Sequence, residues 1–200
     1  MTISEYQKRR RAVLSGMILL AFLILLTVGS AWNPAGHEAV EAVGLAAIMV
    51  GILGRVWCTL YIGGRKNEEI VREGPYSMVR NPLYVFSTVA AAGVGAQTGS
   101  LVVAVLFLAV CALAFSVVID REERHLTELF GEGYRDYRSS VPRFIPDPRL
   151  FSDRPLLAAP AGRIYRTLGD GLMFLAAIPA FELVEHLQAV SGLPVLLRLY

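Results

Sequence analysis

The stretch Glu73-Gly74-Pro75-Tyr76-Ser77-Met78-Val79-Arg80-Asn81-Pro82-Leu83-Tyr84 is a polar hinge between two apolar spans. Gly74-Pro75 signals a turn, because proline drives the residue before it away from helix. Asn81-Pro82 is punctuation of another kind. Asparagine is a strong N-cap, and proline suits the first helical position. Asn81 is therefore expected to open the helix that starts at Leu83, with its free N–H groups and positive dipole end facing the hinge. Such an end is an anion site. Arg80 lies beside it, and Tyr76 and Tyr84 add aromatic faces.

Outward from the hinge the chain is apolar. Of its 200 residues 54% are hydrophobic, and mean hydropathy is +0.51. Only 18% are charged, against about a quarter in soluble domains. Four segments approach or meet the roughly 20 apolar residues that a membrane span needs. They are Ala12–Trp32, Val40–Ile62, Leu83–Ala96 and Leu101–Ile119. The first is read as an uncleaved anchor, since its apolar run exceeds a signal-peptide core. Ala90-Ala91-Ala92-Gly93-Val94-Gly95-Ala96 brings small residues to the third span, which lets helix backbones approach closely in lipid. With the fourth span it forms a hairpin through Gln97-Thr98-Gly99-Ser100.

The charges set the orientation. Lys8, Arg9, Arg10 and Arg11 precede the first span; Arg65, Lys66, Arg72 and Arg80 sit in the hinge loop; nine arginines lie between Arg121 and Arg166, both included. Only Arg55 and Arg198 of the 19 basic residues lie elsewhere. The positive-inside rule then puts the N-terminus, the hinge and the region after the fourth span in the cytoplasm, and the basic-free loop Asn33–Glu38 outside.

Beyond Ile119, Leu126, Leu129 and Phe130 recur at helical spacing, so the fourth helix is expected to extend into the cytoplasm until Gly131 and Gly133 break it. Val141-Pro142-Arg143-Phe144-Ile145-Pro146 reads as an extended segment able to pack as a lid. Residues 161–200 carry one more helix, either a shorter fifth span or an amphipathic helix on the surface. Glu182, Glu185 and His186 share a face of it and could bind metal, but solvated side chains near a helix end are the favoured reading. Cys58 and Cys111 fall in apolar spans and read as buried hydrophobes. With no CxxC or HExxH spacing, no metal site is assigned. No prenylation box is present at the C-terminus, so lipid attachment to this chain is not expected.

Two further features bear on chemistry. Arg55 stands inside the second span, about 10 Å before its end at 1.5 Å per residue. It reads either as a functional partner or as a snorkelling side chain. Glu122-Glu123 starts from the same face as the hinge, at the end of the fourth span. Together hinge and glutamates make a site of mixed charge, suited to a zwitterion with a second positive centre. S-adenosylmethionine is such a molecule. Its carboxylate suits Arg80 and the helix N-terminus, and its sulfonium suits tyrosine faces and a carboxylate.

These residues carry a resemblance. Gly51-Ile52-Leu53-Gly54-Arg55-Val56-Trp57, then Gly74-Pro75-Tyr76 and Val79-Arg80-Asn81-Pro82-Leu83-Tyr84, then Glu122-Glu123, Leu126, Phe130-Gly131, Tyr134, Tyr137, Val141-Pro142 and Ile145-Pro146 resemble the isoprenylcysteine carboxyl methyltransferase family. The phospholipid N-methyltransferases are more distantly similar. The resemblance implies an all-α integral membrane protein of about five transmembrane helices, with a cytoplasmic C-terminal catalytic segment. It implies a methyltransferase domain over residues 1–160, whose cytoplasmic segment is 120–160. S-adenosylmethionine would enter from the cytosol and a lipid or isoprenoid-like acceptor from the bilayer.

By that match Ile70, Val71, Tyr76, Asn81, Pro82, Leu83, Tyr84 and Glu122 look like the cofactor shell. Arg80, Asn81, Glu122 and Glu123 are the catalytic candidates, and Arg55, Trp57 and Arg121 the acceptor contacts. Two departures matter. The family usually has histidine where Asn81 stands, and the arginine that precedes the paired glutamates falls near Val118, so Arg121 is its expected replacement. A carboxylate acceptor is already ionised and needs no base, which fits a site without histidine. The alternatives are a phospholipid amine N-methyltransferase, in which Glu122 or Glu123 would be the base, a membrane NADPH-dependent reductase of the sterol type, and a non-catalytic interaction protein. No nucleic-acid partner is expected, and the oligomeric state is left open.

Overall fold

The computed structural model describes residues 27–154, 157, 159–191 and 195–200. Most of the predicted first span and the Lys8–Arg11 cluster lie outside these residues. The end of that predicted span is not helical: Val28–Ser30 is a strand, β1.

Helix α1 runs Pro34–Ile62. It begins earlier than Val40 because Asn33 caps it, its side-chain oxygen accepting the Gly36 N–H at 2.8 Å, with Pro34 in the first turn. His37 and Glu38 are therefore helical, not part of an outer loop. At 29 residues the helix is about 43 Å long, more than the roughly 30 Å hydrocarbon core.

The hinge follows. Gly74 adopts φ +58, and a Cβ there would lie 2.3 Å from the Tyr61 ring, so this turn needs glycine twice over. Pro75 opens a single helical turn, α2 (Pro75–Met78). Helix α3 (Pro82–Ala96) then packs along α1 through small residues. A Cβ on Gly51 would meet the Ala90 Cβ at 2.5 Å, and one on Gly93 the Gly44 carbonyl oxygen at 2.5 Å. This is the close backbone approach that small residues permit in lipid, where van der Waals packing has to drive association. At 15 residues α3 is about half the length of α1.

Ser100 caps helix α4 (Leu101–Phe130), which continues without a break past Asp120 and ends at Gly131. Val105, Val110, Leu113 and Val117 are exposed along it, an apolar face suited to lipid. Helix α5 (Glu132–Ser140) folds back and buries Tyr134 and Tyr137. The proline-rich segment then straps the hinge through backbone bonds. The Arg80 N–H donates to the Pro142 carbonyl at 2.9 Å, Asp147 N–H to Met78 at 3.0 Å, and Gly74 N–H to Ser152 at 2.7 Å.

Helices α6 (Ala161–Leu172) and α7 (Ala177–Ser191) join through a short 3-10 turn, Met173–Ala176. The run Ala161–Val190 is longer than the expected C-terminal helix, and it is long and apolar enough to cross a membrane. It lies on α1, with Gly171 against Ile52 and the Thr59 and Thr167 hydroxyls 3.0 Å apart. Glu182, Glu185 and His186 are all exposed on it, and Glu185 also meets His37 Nε2 of α1 at 3.0 Å. Strand β2 (Leu197–Leu199) pairs in parallel with β1, Val28 opposite Leu197, a contact with no signal in the hydrophobic pattern.

The architecture is that of an all-α membrane protein. Among the described residues α1, α4 and the Ala161–Val190 run are long and apolar enough to span, with α3 as a shorter apolar helix between them.

Candidate functional site

The hinge, the C-terminal end of α1, the start of α3, the extended end of α4 and α5 enclose one cavity. The eight residues expected to hold a cofactor, Ile70, Val71, Tyr76, Asn81, Pro82, Leu83, Tyr84 and Glu122, all lie on its wall, as does Arg80. The hairpin brings them together. Tyr84 is in the first turn of the outgoing α3, and Glu122 follows the apolar part of the returning α4.

The two adjacent glutamates have different surroundings, because neighbours on a helix do not face the same way. Glu122 faces the cavity. Its Oε2 accepts the Tyr84 phenol at 2.7 Å, and its Oε1 lies 2.8 Å from Lys66 Nζ. Glu123 is 5% exposed and is absent from the cavity wall. Its Oε1 accepts Asn81 Nδ2 at 3.1 Å and pairs with Arg80 Nε at 3.2 Å, with Arg138 and Arg143 each 3.8 Å from the carboxylate. Glu123 thus sits behind the site and ties α4 to the hinge.

Asn81 occupies the N-cap position of α3 but makes no side-chain cap bond. Its amide is turned to Glu123 and to the Arg143 carbonyl, 3.4 Å away. The charged acceptor wins because a hydrogen bond to an ionised group is roughly twice as strong as a neutral one. Arg80 is anchored likewise, donating from Nη1 to the Arg138 carbonyl at 2.5 Å.

The phenols around the cavity stay neutral. Burial, helped by the charge of Glu123, pushes Tyr134 up to about 12, and burial pushes Tyr137 and Tyr76 up as well. The Tyr137 hydroxyl donates to the Tyr76 carbonyl at 2.7 Å and locks α5 onto the hinge. At the rim, the Arg65 hydrogen bond holds the Glu69 carboxyl below its ordinary range.

Besides Glu123, three sequence-selected residues lie off this cavity wall. Arg55 Nη1 donates to Ser87 Oγ at 2.5 Å, between α1 and α3, with its guanidinium 5.8 Å from the Phe174 ring. Trp57 packs edge-on against Phe86, ring centres 6.3 Å apart. Arg121 is exposed on α4.

Other wall residues were not selected as site residues: Lys66, Asn67 and Glu69 from the loop after α1, Leu126 and Phe130 from α4, Tyr134 and Tyr137 from α5. Lys66 had served only as a topology charge. The three-residue spacing of Tyr134 and Tyr137 was the available signal, since it puts both on one helical face. The cavity therefore offers two cations, Arg80 and Lys66, the carboxylates Glu122 and Glu69, and four aromatic phenols. That donor set fits the mixed charge of S-adenosylmethionine.

Comparison with known proteins agrees with this arrangement. The phospholipid methyltransferase family matches residues 40–133. The nickel-cobalt-cadmium resistance protein NccN of Alcaligenes xylosoxydans xylosoxydans is 34% identical over 189 residues, covering 92% of this chain and 88% of that protein. The cobalt-zinc-cadmium resistance protein CzcN of Cupriavidus metallidurans is 34% identical over 143 residues, 70% of this chain and 66% of that one. The protein-S-isoprenylcysteine O-methyltransferase of Schizosaccharomyces pombe is 36% identical over 87 residues, 42% of this chain and 37% of the yeast protein. No solved structure matches the chain. On these matches, the chain belongs to the isoprenylcysteine carboxyl methyltransferase-like family of membrane methyltransferases.

Proposed function

We propose that this protein transfers a methyl group from S-adenosylmethionine to a lipid-like or isoprenoid-linked carboxylate at the cytoplasmic membrane interface. The observation that carries this reading is the Tyr84–Glu122 pair on the wall of a cavity that also holds Arg80. When bound, the cofactor supplies a methyl carbon activated by a sulfonium. Glu122 and the Tyr84 ring would hold the positive centre, and Arg80 with the N-terminal end of α3 would hold the carboxylate end. Glu123 and Asn81 position Arg80 and the hinge. Arg55 and Trp57, deeper along α1, and Arg121, exposed beside Glu122, are the proposed acceptor contacts.

A carboxylate acceptor loses its charge as it is methylated and releases no proton, so the chain's task is alignment and water exclusion. An amine acceptor would release a proton. Glu122 would then have to take it, since Glu123 is held by Arg80 and Asn81.

Calorimetric titration with S-adenosylhomocysteine, then radiolabelled methyl transfer into a lipid extract of the native cell, tests the reading. Methyl released by alkali marks an ester and supports it; alkali-stable label marks the N-methyltransferase. Absence of cofactor binding, or oxidation of NADPH with a sterol-like acceptor, sinks it. The proposed topology is multi-pass, with the N-terminus and the site in the cytoplasm. Glu68→Cys should then resist an impermeant thiol reagent in intact cells and react after permeabilisation.

A second reading is favoured by the names of NccN and CzcN: the reaction serves tolerance of divalent metals. Growth of a deletion strain on cobalt, complemented by the parent but not by Glu122→Gln, is the expected result.

A further inference from the structure

We propose that His37, Glu41 and Glu185 form a binding site for one divalent transition-metal ion, at the end of the helix bundle opposite the methyltransferase cavity. The inference rests on a different part of the molecule from the reaction proposed above. His37 is near the start of α1, and about 37 Å of helix separates it from Ile62 at the cavity.

The three side chains come from two helices, and one ligand atom from each lies within 4.8 Å of the other two. His37 Nε2 is 3.3 Å from Glu41 Oε1 and 3.0 Å from Glu185 Oε1. The i, i+4 spacing puts His37 and Glu41 on one face of α1, and packing of α7 delivers Glu185. A neutral imidazole has one N–H, so it can serve only one of two carboxylates well. A metal ion serves both. With metal–nitrogen and metal–oxygen distances of 2.0–2.2 Å, neighbouring ligand atoms lie about 3.0–3.5 Å apart. Both nitrogen–oxygen separations fall in that range.

Two further features support the assignment. The His37 ring packs on Gly99, where an added Cβ would lie 1.9 Å from Nδ1. That contact covers one ring nitrogen and aims the other at the carboxylates. A cavity beside the cluster, lined by Thr98, Glu185 and Gln188, leaves room for further ligands from solvent; Arg198 on its wall has the same sign as the ion and lowers the affinity of the site. The side chains of His37, Glu41 and Glu185 are 19%, 32% and 45% exposed, open enough for an ion to enter. One imidazole and two carboxylates, without thiolate, suit zinc, cobalt or nickel and not copper(I).

Co2+ tests this, through its visible d–d absorption and equilibrium dialysis on the full chain, freed of any polyhistidine tag and stripped with a chelator. One saturable Co2+ per chain is expected, displaced by Zn2+. His37→Gln and Glu185→Gln should each weaken binding at least about tenfold, the scale on which even outer-shell changes act. Circular dichroism and gel filtration identical to the parent establish that the variants fold. If His37→Gln does not fold, Glu185→Gln, altered at a side chain 45% exposed, decides alone. No saturable binding in the parent overturns the proposal. So does undiminished binding in a folded variant, which would move the ion to another histidine such as His186.

Discussion

Tyr84 and Glu122, 38 positions apart in the chain, are joined by a 2.7 Å hydrogen bond from phenol to carboxylate. The family resemblance puts both in the cofactor shell; in the fold they touch each other, and Lys66 holds the second carboxylate oxygen at 2.8 Å. Glu122 thus arrives at any ligand already oriented.

The first prediction follows from the charge of that pair. A carboxylate beside a sulfonium helps only while the positive charge is there. Glu122→Gln should weaken S-adenosylmethionine by about 1.5–3 kcal/mol and the neutral S-adenosylhomocysteine by less. Lys66→Gln should shift the ratio the other way, since it removes a cation that competes for Glu122. Calorimetry with both ligands measures the ratio. An unchanged ratio in both variants would show that Glu122 does not meet the sulfonium.

Glu123 should behave differently. It is buried among Arg80, Asn81, Arg138 and Arg143, so Glu123→Ala leaves cations without their partner. The expected cost is about 3–5 kcal/mol of stability. Thermal unfolding in detergent should show it, with the ratio of the two ligands' affinities unmoved. A parental melting temperature would mean that these ion pairs contribute little.

Asn81 provides a third test. Its amide serves Glu123, not the helix end, so Asn81→Ala should cost about 1.5–3 kcal/mol, more than the ~1 kcal/mol of a lost cap. Asn81→Asp should be worse, because it sets a second carboxylate against Glu123. Asn81→His keeps a donor and should be tolerated. The three melting temperatures, ranked Asp below Ala below His, check the assignment.

The seam between α1 and α3 gives the fourth. A Cβ on Gly54 would lie 2.1 Å from the Phe86 ring. Gly54→Ala should destabilise by about 1–3 kcal/mol through overpacking. Adding Phe86→Leu should recover part of the loss, a non-additivity expected of residues in contact. Simple additivity in the double variant would show that the two do not meet.

What the sequence determined by itself was the helical framework and the hinge. The reasons are local: apolar runs of membrane length, glycine and proline at turns, and the helical period that carried α4 through Glu122 to Gly131. The order of short motifs also pointed to the residues that gather around the cavity. Tertiary structure decided what each side chain faces. Periodicity assigns Glu122 and Glu123 to different faces of one helix but does not say which face meets the hinge. Only the packing of α4 on α3 turned Glu122 to Tyr84 and Glu123 to Arg80. Capping rules described Asn81 correctly as a helix start, yet a buried carboxylate from 42 positions away captured its side chain. The β1–β2 pairing and the meeting of His37 with Glu185 join the two ends of the described chain. Contacts of such sequence separation leave no local pattern; they exist because helices of fixed length, once packed, bring their ends to the same depth.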